Sequence, residues 1–289
     1  MKYTLTAVFS FLTVLVCAQD IPNKIAIEIC NCIDTIENPD SLDAKVDRCA
    51  QQCFETVIES ASDEVQEIYS TDEAVDETLK KAMESLMTVC PKIRTYVIQS
   101  RKATFYTNSS SAVAEKLYES GNELFNKEDL NGALKMYLKA LKKDPSFIFA
   151  LDNAGLTYRK MNDMKNAIRY YRKSLSIYPE GSFALTNLAY AYTSANDYQG
   201  ALGCYQELAF FYPDDPEGYF GIGKLYVSAG KYEAAMDYVF TAHRIYLATK
   251  SEYAKDSQEL IAVIHDKLKE QNKLDLFDSK AKEFEINFN

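Results

Sequence analysis

The sequence predicts an all-α protein: a small helical domain stapled by disulfides, then an α-solenoid of paired helices closed by C-terminal capping helices. Three observations predict it. The 289 residues are 47% hydrophobic and 26% charged but include only ten Gly, seven Pro and two His. Such a chain is globular and poor in the residues that many-stranded barrels and His-based active sites draw on. Of its seven cysteines, five stand between residues 30 and 90. From residue 114 to residue 249 the chain repeats itself with a step of 34.

The first element, residues 1–18, carries Lys2, an apolar run from Ala7 to Val16, and Val16-Cys17-Ala18 at its end. That pattern reads as a secretory signal peptide. The run is shorter than the about 20 residues a spanning helix needs, so no transmembrane segment is expected. Val16 stands where an acylated Cys17 calls for a small residue, which argues against a lipid anchor. The expectation is a soluble protein beginning near Gln19, periplasmic or secreted.

Residues 19–103 form the second element. In an oxidising compartment its cysteines, Cys30, Cys32, Cys49, Cys53 and Cys90, read as disulfide partners. Two bridges are expected: Cys32 to Cys49 across a hairpin, and Cys90 to either Cys30 or Cys53, each contributing about 2 to 4 kcal/mol. A redox or metal site is the competing reading, since Cys49 and Cys53 share a helix face. Without a CxxC pair or a nearby His, no metal is assigned. From Asp20 to Thr107 there are 17 acidic and 9 basic residues, with Asp63, Glu64, Glu67, Asp72, Glu73, Asp76 and Glu77 carrying much of the excess as a solvated face. Apolar residues recur at helical intervals over Ile25–Ile36, Leu42–Val57 and Val75–Cys90, which predicts about three helices. Breaks are expected at Asn38-Pro39-Asp40, with Asp40 or Ser41 as a cap, at Ser70–Asp72 and at Pro91. Residues 104–112 read as a linker, and Asn108-Ser109-Ser110 within it fits a glycosylation sequon.

The repeat follows. Pro145, Pro179 and Pro213 are each 34 residues apart, and other columns keep that step: Leu117, Leu151, Leu185 and Tyr219; Gly121, Gly155, Ala189 and Gly223; Leu124, Tyr158, Tyr192 and Tyr226; Ala133, Ala167, Ala201 and Ala235; Tyr137, Tyr171, Tyr205 and Val239. A small residue in the first helix and Ala twelve positions on let two antiparallel backbones approach closely. The Tyr column is expected to insert between successive units, so that each repeat buries its neighbour's apolar face. Proline ends the second helix because it has no amide proton to donate.

On these columns the segment resembles the tetratricopeptide repeat (TPR) family, with units at 114–147, 148–181, 182–215 and 216–249 inside a domain of residues 113–249. The fourth has Leu247 where the others have Pro, so its second helix is expected to run on. Residues 250–289 read as the capping helices an open-ended solenoid requires, one over Ser251–Gln271 and a short one over Leu274–Phe284. The resemblance implies a groove, lined by the first helix of each repeat, that holds an extended peptide or protein segment. Carried over residue by residue, its lining is Tyr118, Asn122 and Phe125; Phe149, Asp152, Asn153, Leu156 and Lys160; Phe183, Asn187, Tyr190 and Thr193; Phe220, Lys224 and Val227. Family members that clamp a terminal carboxylate pair two Asn with cations. Here Asn122 and Asn153 match the amides, but Tyr118, Phe183 and Asn187 replace the cations, so no strong carboxylate-terminus preference is expected.

Enzyme motifs fare poorly. Gly218-Tyr219-Phe220-Gly221-Ile222-Gly223-Lys224 matches a phosphate-binding loop in form, but Leu225 replaces the magnesium-binding hydroxyl and Gly223 already belongs to the packing column. His243 and His265 lie on helical stretches near apolar residues, with no Ser or Cys partner arranged for nucleophilic catalysis. The net charge of −10, with no Lys/Arg-rich run, disfavours nucleic acid. The expectation is a non-enzymatic scaffold without cofactor, binding a protein or peptide. Two alternatives stand beside it: an exported thiol-redox or metal-handling protein, and a structural subunit or assembly factor of an envelope complex.

Overall fold

The computed structural model describes residues 21–33 and 42–286. Every regular element among them is an α-helix. The chain divides into two compact units, Met1–Gln99 and Ser100–Asn289. The signal-like stretch, and the break and caps expected at residues 38–41, lie outside the described residues.

The first unit contains α1 (residues 21–32), α2 (Leu42–Glu59), α3 (Asp63–Ile68), α4 (Asp72–Val89) and the start of α5 (Pro91–Phe105). Among the described residues five helices stand where about three are expected, for two local reasons. The short α3, with only Val65 buried, is too brief to show a periodicity. Pro91 does end α4, but it also starts α5, where a missing amide proton costs nothing in the first helical turn. Thr71 caps α4 by accepting from the Ala74 amide. Ile25, Ile29, Ile33, Leu42, Val46, Phe54, Leu86 and Ile93 fill the core.

Cys30 and Cys32 lie two apart on α1 and so point about 200° apart. They accordingly reach different partners: Cys32 bridges to Cys49 on α2, and Cys30 to Cys90 between α4 and α5, with Cα separations of 5.9 and 5.4 Å. The open choice for Cys90 thus falls on Cys30. Cys53, one helical turn past Cys49, is a buried free thiol. Bridges closing 17 and 60 residues of sequence restrict the unfolded chain by about 3 and about 4 kcal/mol.

The second unit holds four helix pairs: α6 (Ala112–Asn126) with α7 (Leu130–Lys143), α8 (Ile148–Lys160) with α9 (Met164–Ile177), α10 (Ser182–Ser194) with α11 (Tyr198–Phe211), and α12 (Pro216–Ser228) with α13 (Tyr232–Ala248). They are followed by α14 (Ala254–Glu270) and α15 (Leu274–Glu283). Without a proline at Leu247, α13 runs to 17 residues where α7, α9 and α11 have 14. Ile261, Ile264 and Leu268 of α14 and Phe277 of α15 cover Met236, Val239 and Phe240 of α13.

Inside each pair the small column does what the pattern implies, by a different contact. A Cβ on Gly121 would lie 2.5 Å from the Tyr137 ring, and one on Gly155 would lie 2.7 Å from the Tyr171 ring. The Tyr column therefore covers the glycine of its own repeat, because sixteen residues bring the second helix back opposite the first. The Tyr column also reaches the following unit, as the pattern predicts: Tyr137 shares an apolar cluster with Leu151 and Ala154, Tyr171 shares one with Leu185 and Leu188, and in the third repeat, where Ala189 fills the small column, the Tyr205 ring lies over Gly221 of α12.

The pairs turn on a device not anticipated from the columns. Glu128, Asn162, Asn196 and Gly230, again 34 apart, have φ of 62°, 63°, 59° and 70°. The next residue, Asp129, Asp163 or Asp197, caps the following helix by accepting from the amide three residues on. The fourth turn has Lys231 there and no side-chain cap, so Gly230 carries it.

Candidate peptide-binding face

All fifteen residues expected to line the groove lie on first helices of the pairs: Tyr118, Asn122 and Phe125 on α6; Phe149, Asp152, Asn153, Leu156 and Lys160 on α8; Phe183, Asn187, Tyr190 and Thr193 on α10; Phe220, Lys224 and Val227 on α12. Their three- and four-residue spacings put each set on one side of its helix. The structure sorts them into a self-engaged half and an available half.

In the first two repeats the polar groups bond to one another. Asn153 Nδ2 donates to Asn122 Oδ1 at 3.0 Å and to the Tyr118 hydroxyl at 3.2 Å, while the Tyr137 hydroxyl donates to Asn122 Oδ1 at 2.8 Å. Tyr106, six residues before the first repeat helix, is seated among the same residues. Its ring meets Phe149 edge-on at 4.4 Å, and its hydroxyl donates to Asp152 Oδ2 at 2.9 Å. Nearby, Arg101 Nε pairs with the buried Glu180 Oε2 at 3.1 Å. The stretch read as a linker is therefore part of the second unit. Thr104 and Phe105 finish α5, and the Ser109 hydroxyl donates to Asp144. Nothing in the repeat columns points to Tyr106, which precedes them.

Asp152 is the most perturbed carboxyl of this region. It is 2% exposed, and Oδ1 has no hydrogen-bond partner. Burial drives its pKa up to about 6, although the Ser174 and Tyr106 hydroxyls beside it act in the opposite direction. Burial, then the Asp152 charge, pushes the Tyr106 hydroxyl well above its ordinary value.

In the third and fourth repeats the face is freer. Phe183 and Tyr190, seven residues apart on α10, are 37% and 43% exposed. Asn187 between them is buried, its amide donating to the Phe183 carbonyl at 2.9 Å, so it is not a free recognition amide. Thr193 likewise bonds its own helix at Ala189 O. Lys224 Nζ lies 5.5 Å from the Phe220 ring centre, and Phe220 meets Tyr246 edge-on. In the same arrangement Lys160 Nζ stands 4.6 Å over Phe125, and Arg159 5.8 Å over Tyr190.

Reactive groups elsewhere are absorbed by packing. The phosphate-loop look-alike is helical, in α12, where Gly218 allows the Ala209 backbone amide to approach and Gly223 makes room for Val239. The fold does bring a serine to His243, which the sequence reading did not foresee: Nδ1 stands 2.8 Å from Ser257 Oγ. That hydroxyl donates to Ala254 O at 2.9 Å, which assigns the donor role in the His–Ser bond to Nδ1. Ser257 is also fully buried, so no substrate reaches it. His265 bonds Asp266 and packs edge-on against Phe277. Among the described residues, no group of three or more His, Cys, Asp or Glu is placed to hold a metal, and no helix is long and apolar enough to cross a membrane.

Models of the tetratricopeptide repeat match residues 150–180 and 186–246. No curated protein matches the chain. Among solved structures, a tetratricopeptide repeat protein from Parabacteroides merdae ATCC 43184 is 21% identical, with 60% of this chain and 67% of its own covered and a TM-score of 0.51. MamA 41-end from Desulfovibrio magneticus RS-1 is 12% identical, with 62% of this chain and 97% of its own covered and a TM-score of 0.50. These likenesses bear on the fold alone. With four helix pairs in a 34-residue register and family models matched across three of them, the second unit of this chain carries tetratricopeptide repeats.

Proposed function

We propose that this protein is a non-enzymatic scaffold that holds an extended segment of a partner protein along the first-helix face of its third and fourth repeats. The observation that carries the reading is the contrast between two halves of one face. Tyr118, Phe149, Asn122 and Asn153 spend their rings and amides on each other and on Tyr106, whereas Phe183 and Tyr190 stay exposed on α10. Large rings left in water over about two helical turns are costly unless a partner covers them, and they supply contact area at low side-chain entropy. Lys224 and Arg159 flank them with positive charge.

A bound segment is recognised through its side chains and backbone rather than a free terminus. The amides that could grip a carboxylate, Asn122 and Asn153, are already bonded to each other. The apolar run of residues 7–16 and two disulfides support export to an oxidising compartment, periplasmic or extracellular. The test is a pull-down from the exported fraction with wild type and Phe183→Ala plus Tyr190→Ala. Loss of the co-purifying proteins from the variant is expected; equal recovery by both refutes the assignment of this face.

A further inference from the structure

The sequence has no basic run, yet folding assembles a basic surface. α7 carries Lys135, Lys139, Lys142 and Lys143, and α9 carries Lys165, Arg169, Arg172 and Lys173; all eight are exposed, and neither helix contains an Asp or Glu. The two helices belong to successive repeats and contribute to one apolar cluster, Leu134, Leu138 and Leu141 from α7 and Tyr170 and Ile177 from α9. Among the described residues none of the eight cations is in an ion pair; Arg169 and Lys173 lie over the Tyr170 ring instead. A cleft of about 500 Å³ opens along α9, lined by Lys165, Ile168, Arg169, Arg172, Lys173 and Ser176.

The feature is local to the first two repeats. One step of 34 beyond Lys165, Arg169, Arg172 and Lys173 stand Gln199, Gly203, Gln206 and Glu207, and one step further Glu233, Asp237, Phe240 and Thr241. Repeat packing alone therefore does not call for these cations, since the later repeats pack without them. We propose that the outer face of α7 and α9 is a docking surface for a short acidic segment of a partner protein, its carboxylates meeting the cations and its apolar side chains reaching Ile168.

Charge decides between a short segment and an extended polyanion. The whole chain carries −10, so with these eight positive charges set apart the rest carries −18. A membrane plane or a nucleic-acid duplex extends far beyond two helices and would meet that excess. Screening over about 8 Å at physiological salt lets a compact acidic segment feel the patch and little else. The surface is separate from the first-helix face, so either assignment can fail without the other.

The experiment uses the full chain from Gln19 and a synthetic peptide of about fifteen residues with Glu at every third or fourth position. Binding is followed by fluorescence anisotropy, with heparin and phosphatidylglycerol vesicles as competing probes. The expected result is peptide binding that weakens at least about tenfold in Lys139→Glu plus Arg172→Glu, and comparably in about 0.5 M salt. Phe183→Ala plus Tyr190→Ala should leave it unchanged. Lys135→Ser plus Arg169→Ser, which removes charge without reversing it, should give a smaller loss in the same direction and guards against misfolding of the reversal variant. Any of four outcomes overturns the proposal: no peptide binding, binding that both charge variants retain, preference for heparin or vesicles over the peptide, or salt-sensitive self-association abolished by the same variants.

Discussion

Asp152 offers a direct test of how Tyr106 is held. A carboxyl with a pKa of 3.8 in the unfolded chain and about 6 when buried binds its proton more tightly in the folded state. The sign follows from linkage: the folded state is favoured most below about pH 3.8, and stability is lost as pH rises through about 6. Integrating between those two values, the group withdraws about 0.5 kcal/mol at pH 4 and about 3 kcal/mol at pH 7.5, a difference of about 2.5 kcal/mol. Asp152→Asn has nearly the same shape, still accepts from the Tyr106 hydroxyl, and cannot ionise. Burying its amide has its own cost, but that cost is the same at both pH values and cancels. Urea unfolding of the full chain, followed by circular dichroism at constant ionic strength, should therefore show the variant gaining about 2.5 kcal/mol on wild type between pH 4 and pH 7.5. Carboxylates elsewhere titrate in both proteins and drop out of the comparison. A gap between the two proteins that stays constant within about 0.5 kcal/mol across this range refutes the buried, proton-sensitive contact.

Glycine positions give a paired prediction: Gly203 meets nothing within 4 Å of an added Cβ, so Gly203→Ala should stabilise α11 by about 1 kcal/mol, whereas Gly155→Ala crowds the buried Tyr171 ring and should lose up to about 2 kcal/mol despite the same helix gain. Thermal melts of both variants check the opposite signs. At the turns, Gly230→Ala should cost about 1 kcal/mol at φ 70°, and Glu128→Gly should return about 0.5 kcal/mol at φ 62°, read from urea midpoints. Burial, then the charges of Glu207 and Asp197, pushes the Cys204 thiol up to about 12, so in the native protein it should react slowly with Ellman's reagent at pH 8. In denaturant, the chain from Gln19 should release two thiols before reduction and six after; four or more before reduction contradicts the two bridges.

Much of the second unit was legible because its rules are local and repeat. The 34-residue columns, the prolines and the missing proline at Leu247 set the helix pairs and the longer α13, and they do so four times over. The turn column Glu128, Asn162, Asn196 and Gly230, with aspartate following three of them, was equally available in the sequence. Its first member, a glutamate, concealed the left-handed position that the later Asn and Gly make plain. The first unit was less legible: a helix of six residues shows no period, and Pro91 serves as both end and beginning.

The candidate faces divide differently. The sequence by itself determined which residues lie on the first helices and which cysteines were at hand, because helical spacing and compartment chemistry need no partner to be specified. Only the tertiary structure decided that Cys90 meets Cys30, that Asn122 and Asn153 bond each other, that Tyr106 reaches Asp152, and that α7 and α9, helices of successive repeats, contribute to one apolar cluster. The physical reason is common to all four. Spacing along one helix sets a direction, whereas contact between residues 20 to 60 positions apart depends on how far and at what angle whole helices pack, and that is set by the small and large side chains buried between them.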